Sequence, residues 1–221
     1  MQTIFNGSYK SNSLLDKIKN FKSALAIQPF VILARPNKEV YVNKLEKKIF
    51  IDDLKILIDN GLLNLEIPWE DNKNWLYLMS DLRSSFPNIQ LGSASISNKK
   101  SIDDSLKVGL NFSMMRFWNK DLYIYSIKNN YLLIPGLIEN KDFKDALSYN
   151  CQIIKIFPVD KKEILLNIKR NNTIFFIGAG GISIKDLNKF KLLGYKGIVI
   201  GGKGYNGKKF DPEILKSLKQ K

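Results

Sequence analysis

Residues 173–201 read TIFFIGAGGISIKDLNKFKLLGYKGIVIG. This stretch opens and closes with a short apolar run, residues 173–177 and 197–201, and the segment between the two runs has helical periodicity. Apolar runs without polar alternation are typical of parallel strands that are buried on both faces. A strand, a helix and a second strand in this order predict a βαβ unit, whose crossover helix makes the two strands parallel.

The same alternation recurs along the rest of the chain. Six further apolar runs of strand length occur, at residues 29–34, 62–67, 89–94, 111–115, 131–134 and 152–157. Between the second and third of these, one helix face carries Trp75, Leu78, Met79, Leu82 and Phe86. Eight strand–helix units predict an α/β fold of the (β/α)8 TIM-barrel type. The alternative, an open doubly wound sheet, usually has fewer strands and a glycine-rich first turn, and residues 34–37 contain no glycine.

The first residues of the chain precede the barrel pattern. An amphipathic segment at residues 14–24 comes before the first strand candidate. We therefore expect a helical extension over residues 1–25, which covers the bottom of the barrel, and a single barrel domain over residues 26–221. A length of 221 residues is compact for this fold but within its size range.

The composition excludes several kinds of chemistry. The chain has no histidine, which excludes Ser-His-Asp and Cys-His catalysis and histidine-ligated zinc. Its one cysteine, Cys151, excludes an intramolecular disulfide and a metal site built from several cysteines. Catalysis must therefore come from Lys, Arg, Asp, Glu, Ser, Tyr or backbone groups.

The formal charge of +14 comes mainly from lysine. Of 35 basic residues 31 are Lys and four are Arg, and the lysines are spread along the chain. Nucleic-acid surfaces rely on arginine for bidentate contacts, so the charge indicates a solvated surface, and we expect no nucleic-acid partner. Residues 1–12 lack the apolar core of a signal peptide, and no apolar run approaches the ~20 residues that span a bilayer. We expect a cytoplasmic protein without a membrane partner.

Two ionisable residues interrupt apolar strand candidates. Lys155 lies among Ile153, Ile154, Ile156 and Phe157, where burial of an ammonium is costly and favours the neutral, nucleophilic amine. Glu66 lies between Leu65 and Ile67 in the second candidate strand. Either residue can instead have a structural role, Lys155 by reaching solvent or pairing with a carboxylate, and Glu66 by forming an ion pair. In a barrel, residues at the carboxyl ends of the strands carry the chemistry.

Glycines follow the last two strand candidates. Gly180 and Gly181 open a segment whose first turn has free N–H groups, and Gly201 and Gly202 allow close approach of a ligand to the backbone. Loops at this place in a barrel often bind phosphate, although tight turns need glycine as well. Another phosphate-binding barrel, such as a phosphosugar isomerase or synthase, would explain these glycines but not Lys155.

Four motifs occur in a fixed order along the chain: Leu-Glu-Ile at 65–67, Leu-Ile-Pro-Gly at 133–136, Lys-Ile-Phe-Pro at 155–158 and Gly-Gly-Ile at 180–182. In order and spacing they resemble the class I aldolase family of 2-keto-3-deoxy-6-phosphogluconate (KDPG) and 4-hydroxy-2-oxoglutarate (KHG) aldolases. The resemblance extends from about residue 31 to residue 202. It implies a homotrimeric barrel enzyme, a carbon–carbon lyase that cleaves a 4-hydroxy-2-oxo acid to pyruvate and an aldehyde, and it leads us to expect no metal and no cofactor.

The resemblance also implies roles for single residues. Lys155 matches the Schiff-base lysine and Glu66 the general acid/base. Substrate-lining positions of the family correspond to Ser95, Pro135 and Phe157, and its phosphate-binding glycines correspond to Gly180, Gly181 and Gly202.

Three positions depart from the family pattern. Glu70 stands where an arginine usually holds the pyruvate carboxylate, Met115-Arg116 replaces a Ser-Pro segment, and Lys203 replaces a serine. We hypothesise that Arg116 or Arg35 supplies the carboxylate contact and that Lys203 strengthens the anion site. The alternative is a catalytically weakened or inactive barrel that acts as a binding or interaction protein.

Overall fold

The computed structural model describes residues 13–159, 162–205 and 209–219. In these residues nine strands form one parallel sheet. In chain order the strands are β1 Phe30–Leu33, β2 Asn64–Pro68, β3 Gln90–Ile96, β4 Phe112–Met115, β5 Leu133–Ile134, β6 Gly136–Leu137, β7 Ile153–Ile156, β8 Phe175–Ala179 and β9 Gly197–Ile200. Their order across the sheet is β5-β4-β3-β2-β1-β9-β8-β7-β6.

The sheet closes through β5 and β6, which are separated in the chain by Pro135 alone. β5 pairs with β4 on one side, and β6 pairs with β7 on the other, so one extended segment joins the two ends of the sheet. Because proline has no N–H to donate, the ladder is interrupted at this residue and a single barrel strand becomes two short ones. The predicted (β/α)8 barrel is confirmed, with its fifth strand divided, and the open sheet is excluded.

Helices follow the strands around the outside of the barrel. They are α1 Leu14–Ile27, α2 Glu39–Val42, α3 Lys44–Asp59, α4 Lys73–Ser85, α5 Lys99–Lys107, α6 Lys120–Lys128, α7 Asn140–Ser148, α8 Lys162–Arg170, α9 Leu187–Leu192 and α10 Pro212–Lys219, and a 3₁₀ turn at Ile184–Asp186 precedes α9. In this described part of the chain, no helix combines the length and apolar character needed to cross a membrane.

Side chains of each strand alternate between two apolar layers. Val31, Leu33, Met114 and Ile177 point into the barrel and belong to one buried cluster. The opposite faces of the strands pack against the helices in a larger cluster, which contains the predicted apolar face of Trp75, Leu78, Met79 and Leu82 in α4 and Phe86 directly after it. The barrel interior is therefore a filled core beneath the carboxyl ends of the strands.

Helix α1 covers the amino ends of the strands. Its Phe21 and Leu25 are fully buried in the interior cluster, and the Phe21 ring lies 4.5 Å, centroid to centroid, from the ring of Phe112 in β4. Of the predicted extension over residues 1–25, residues 1–12 lie outside the described residues, and α1 continues to Ile27. The extra N-terminal helix thus closes the barrel at its bottom, and a cavity remains at the top.

Candidate active site

A cavity of about 350 Å³ opens at the carboxyl ends of the strands. Its lining comes from the ends of seven strands and the loops that follow them: Leu33, Arg35, Glu66, Ala94, Ser95, Arg116, Lys155, Phe157, Ala179, Gly180, Gly181, Val199, Gly201 and Gly202. Most of the predicted site residues are therefore brought together from distant parts of the sequence. This is the end of a barrel at which catalytic groups are found.

Lys155 lies in the middle of β7 and points into the cavity with 9% of its surface exposed. Its Nζ donates a hydrogen bond to the Met115 carbonyl oxygen at the end of β4. Burial lowers the pKa of the amine to about 8; Glu66 opposes this effect, and Arg116 and Arg35 add to it. A larger share of neutral amine than in an ordinary lysine is therefore present near neutral pH.

Glu66 in β2 is 2% exposed and lines the same cavity. Burial raises the pKa of its carboxyl to about 7, against the opposing influence of the Lys155 and Arg35 charges. Its Oε2 is buried and has no hydrogen-bond partner among the described residues. A carboxyl group with this pKa can accept a proton and return it near neutral pH, which a general acid/base must do.

The backbone next to Lys155 is tightly packed. A Cβ on Gly136 would lie 2.5 Å from the Met115 carbonyl oxygen and 2.6 Å from that of Arg116, so only glycine fits there without movement. Pro135 is buried and is absent from the cavity lining, but its carbonyl oxygen accepts a hydrogen bond from the Lys155 N–H at 2.9 Å. The segment 135–136 thus holds Lys155 through the backbone and fixes the carbonyl that binds its amine.

Ser95 lies where β3 changes register. The pairing between β3 and β4 shifts between Ser93 and Ile96, and Ser95 has a φ of 64°, in the left-handed region that residues other than glycine seldom adopt. The bulge brings Ser95 into the cavity lining beside Ala94. Such local strain is common where a side chain is directed towards a ligand.

Two arginines line the cavity and have exposed side chains. Arg35 follows β1, and Arg116 follows β4. The Arg116 guanidinium lies 5.1 Å from the centroid of the Phe117 ring, a cation–π distance. Phe157, 37% exposed, forms an apolar part of the lining.

The glycines after β8 have backbone angles that favour glycine. Gly180 and Gly181 have φ values of 113° and 63°. A Cβ on Gly180 would lie 3.3 Å from the Phe157 ring and from Pro158 Cα, so the loop packs closely on the end of β7. Gly202, after β9, has open space around it. The arrangement leaves room for an anionic group beside the backbone of these loops.

Three residues singled out in the sequence lie apart from the lining. These residues are Pro135, which is buried, and Lys203 and Glu70, which are both exposed. Glu70 lies near Tyr41 of α2. Burial and the charge of the Glu70 carboxylate together raise the pKa of the Tyr41 hydroxyl.

Sequence reasoning missed part of the site. The lining residues Leu33, Ala94, Ala179 and Val199 were not predicted, although the inward alternation of their strands could have indicated them. The Met115 carbonyl as a partner of Lys155 had no signal in the sequence, because any residue carries a carbonyl and only the fold brings β4 and β7 together.

The chain is similar to known proteins both in sequence and in fold. The family model for KDPG and KHG aldolase matches residues 39–211. No curated protein sequence gives a significant match.

Solved structures of similar fold include a 2-keto-3-deoxy-6-phospho-gluconate aldolase from Zymomonas mobilis, with 18% identity and a TM-score of 0.71 over 90% of this chain and 94% of that one. A KDPG aldolase from Legionella pneumophila, with pyruvate captured as a covalent carbinolamine, has 17% identity and a TM-score of 0.69 over 89% and 90%. A thiamine phosphate pyrophosphorylase from Pyrococcus furiosus, at 13% identity, still has a TM-score of 0.63 over 91% and 95%.

At these identities the structural likeness shows the fold alone, since a barrel of the same shape serves different reactions. The family is shown by the sequence model, whose match extends from α2 to the residue before α10. The predicted resemblance is thereby confirmed: the chain belongs to the KDPG and KHG aldolase family, whose members are carbon–carbon lyases that act through a Schiff base.

Proposed function

We propose that this aldolase forms a Schiff base between Lys155 and a 4-hydroxy-2-oxo acid, such as 2-dehydro-3-deoxy-6-phosphogluconate or 4-hydroxy-2-oxoglutarate, and releases pyruvate and an aldehyde. The observation that carries the proposal is the joint burial of an amine and a carboxyl group in one cavity, with pKa values moved towards neutrality from opposite sides. Strongly shifted titratable groups in a cleft are typical of catalytic sites.

The first step uses the neutral amine. The lone pair of Lys155 Nζ attacks the C2 carbonyl, the carbonyl electron pair moves to oxygen, and a proton passes from the nitrogen to that oxygen, which gives a carbinolamine. Glu66 in its acid form donates a proton to the C2 hydroxyl, which leaves as water while the nitrogen lone pair forms the iminium. Because the cation formed in this step lies near the Glu66 carboxylate, it is stabilised where it develops.

The second step uses the same carboxylate as a base. Glu66 takes the proton of the C4 hydroxyl, the C3–C4 bond breaks, and its electron pair enters the iminium to give an enamine and a free aldehyde. Glu66 then returns the proton to C3, water hydrolyses the resulting iminium to pyruvate and the neutral amine, and Glu66 takes up the proton that this hydrolysis releases. Atoms and charges balance with these two side chains and water.

The other lining residues bind the substrate in this proposal. Two arginines, Arg35 and Arg116, attract its anionic groups, and Ser95 and Phe157 bound the space next to Lys155. A phosphate or a second carboxylate binds at the backbone of Gly180, Gly181 and Gly202. Pro135 acts through the backbone of Lys155, and Lys203 contributes only to the positive potential near the cavity.

Borohydride reduction in the presence of pyruvate, followed by peptide mapping, tests the proposal. We expect a covalent adduct on Lys155, its loss in Lys155→Met, and an unchanged adduct in the control Lys107→Met, which removes an exposed lysine of α5. No adduct, or an adduct spread over other lysines, would contradict the Schiff-base role and support a weakened or inactive barrel that binds a partner.

We also propose that the protein is a homotrimer. In support, α2, α3 and α4 expose large apolar side chains, with Val42 73%, Leu45 63% and Tyr77 52% exposed. Exposed apolar surface of this kind is common at contacts between subunits. Light scattering at several concentrations measures the mass directly, and a mass equal to that of one chain would contradict the trimer.

We place the protein in the cytoplasm and without a nucleic-acid partner. The cysteine Cys151 is buried and unpaired, which suits a reducing compartment. Titration with duplex DNA at increasing salt checks the second point, since binding driven by phosphate contacts is tight at low salt and weakens steeply.

A further inference from the structure

We propose that Arg116 is the specificity-determining residue that binds the carboxylate adjoining the keto group of the substrate. The inference rests on the proposed function, because it takes the attack of Lys155 on the keto carbon as given. It assigns to the loop after β4 the recognition of a 2-oxo acid as opposed to a neutral ketone.

The first argument is proximity along the backbone. The Lys155 amine is bound by the carbonyl of Met115, and Arg116 is the next residue. The carboxylate of a 2-oxo acid is bonded directly to the carbon that the amine attacks. A cation that recognises this carboxylate must therefore lie beside the amine, which is where the end of β4 places Arg116.

The second argument separates Arg116 from Arg35. In the barrel, β4 and β7 are separated only by the β5–β6 segment, whereas β1 and β7 are separated by both β9 and β8. The charges agree with this placement. Arg116 lowers the pKa of Lys155 more than Arg35 does, whereas the charge of Arg35 also lowers the pKa of Glu66.

These positions give the cavity two cationic sides. Arg116 follows β4 and Ser95 lies near the end of β3, on the opposite side of the barrel from Arg35 and the glycine loops, which follow β1, β8 and β9. Lys155 and Glu66 lie on the strands between these two sides. A substrate with its carboxylate at Arg116 therefore directs the bond to be cleaved, and its distal group, towards Glu66 and the glycine loops.

The Arg116 guanidinium is available for a ligand. It rests against the Phe117 ring, and in residues 13–159, 162–205 and 209–219 the ion pairs do not include it. Arginine presents its donors as a planar fork that matches both oxygens of a carboxylate, and it keeps its charge at every relevant pH. The carboxylate side of the cavity thus has a cation suited to bidentate binding.

The test compares two carbonyl probes that differ in charge. Pyruvate carries the carboxylate and ethyl pyruvate is neutral, and both are trapped on Lys155 by borohydride. We expect Arg116→Ala to lower the ratio of the pyruvate trapping rate to the ester trapping rate by about 10- to 100-fold, the effect of a lost charged hydrogen bond. Arg116→Lys, which keeps the charge but not the fork, is expected to retain part of the ratio.

Two controls separate carboxylate binding from an effect on the Lys155 pKa. Arg35→Ala also removes a cation that lowers this pKa, so it is expected to slow both probes, and because Arg35 only attracts anions at the opening, it is expected to lower their ratio much less than Arg116→Ala does. Arg170→Ala removes an exposed arginine at the end of α8, outside the cavity, and is expected to change neither rate.

The outcomes are distinct. A wild-type protein that traps pyruvate on Lys155, with an unchanged ratio in Arg116→Ala, would overturn the role of Arg116 and leave the proposed function intact. Equal slowing of both probes in Arg116→Ala overturns it as well, because a change of the Lys155 pKa alone would then explain the result. A wild-type protein that traps neither probe overturns the proposed function itself. Unfolding curves of each variant show whether the fold is retained.

Discussion

Burial moves the pKa values of Glu66 and Lys155 in opposite directions, because it disfavours the charged form of each. The Glu66 carboxyl is raised to about 7 and the Lys155 amine is lowered to about 8, and each charge partly offsets the shift of the other. At the scale of single residues, the chemistry that we propose depends on this pair. Schiff-base formation needs the free amine, whose share rises as the pH passes about 8, and the acid form of Glu66, whose share falls as the pH passes about 7; cleavage then uses the carboxylate that this step leaves.

The variant Glu66→Gln separates the influence of the carboxylate on the Lys155 pKa from its proposed role as a general base. Without the carboxylate, the influence that raises the Lys155 pKa is removed, so the amine becomes neutral at lower pH. We expect the pH midpoint of pyruvate trapping to move downward, while cleavage of the aldol substrate falls about 10²- to 10⁴-fold, the usual effect of losing a general base. Trapping and cleavage assays on one preparation measure both. A midpoint that moves upward would show that Glu66 does not influence Lys155 electrostatically.

Burial of this pair lowers the free energy of unfolding. Because the folded pKa of Glu66 lies above its ordinary 4.5, its stabilising contribution at low pH is lost as the pH rises through about 7. Because the folded pKa of Lys155 lies below its ordinary 10.5, the cost of its burial is present below about 8 and disappears as the pH rises towards 10.5. The contribution of the pair is therefore least favourable between about 7 and 8.

Replacing the pair by apolar side chains should relieve this cost. We expect Glu66→Leu/Lys155→Met to raise the free energy of unfolding at pH 7.5 by about 1–4 kcal/mol, with loss of activity. Denaturant unfolding of the wild type and the double variant between pH 5 and 10 measures this difference in free energy. The contributions of the other titrating groups are the same in both proteins and cancel. A double variant less stable than wild type would mean that the pair stabilises the fold.

At the scale of elements, a short backbone segment holds Lys155 in place. The β5–β6 segment closes the barrel, binds the Lys155 N–H through Pro135 and leaves no space for a side chain at Gly136. The division of the strand at Pro135 is thus directly next to the site.

Gly136→Ala tests this contact. The new Cβ would displace the Met115 and Arg116 carbonyls, which would lie 2.5 Å and 2.6 Å away, so we expect both lower stability and slower trapping of pyruvate on Lys155. Gly202→Ala is the control for stability, since nothing lies within 4 Å of the added atom. Unfolding curves and borohydride trapping measure the two effects, and an unchanged trapping rate in Gly136→Ala would contradict a positioning role.

Helix α1 offers a second prediction at this scale. Phe21 is fully buried against Phe112 at the bottom of the barrel, and Leu15 on the same helix is 67% exposed. We expect Phe21→Ala to lower the free energy of unfolding by about 3–5 kcal/mol, through lost burial and the cavity left behind. Leu15→Ala should change it by less than about 0.5 kcal/mol. Equal effects in denaturant titrations would show that α1 does not seal the interior.

At the scale of the whole molecule, the charge of +14 divides into a diffuse lysine surface and a few cations at the cavity. Arg35 and Arg116 line the opening, and Lys155 within it is partly neutral. A cleft lined by charge of one sign raises the local concentration of oppositely charged substrates.

Salt dependence tests this effect. We expect the pyruvate trapping rate at subsaturating concentration to fall as salt rises from 0.02 to 0.5 M, because the Debye length shrinks from tens of ångströms to a few, while trapping of neutral ethyl pyruvate stays nearly constant. The same decline for both probes would indicate a general effect of salt on the protein and contradict electrostatic attraction.

The sequence by itself determined the barrel, because apolar runs and helical periodicities are local properties and eight units in series have few ways to pack. It also indicated Lys155 and Glu66, since an ionisable residue inside an apolar strand stands out in a chain without histidine. Only the tertiary structure decided which side chains share a cavity, that Glu70 lies apart from it, and that the Met115 carbonyl binds Lys155. These facts depend on contacts between strands far apart in the chain, which exist only when the sheet closes.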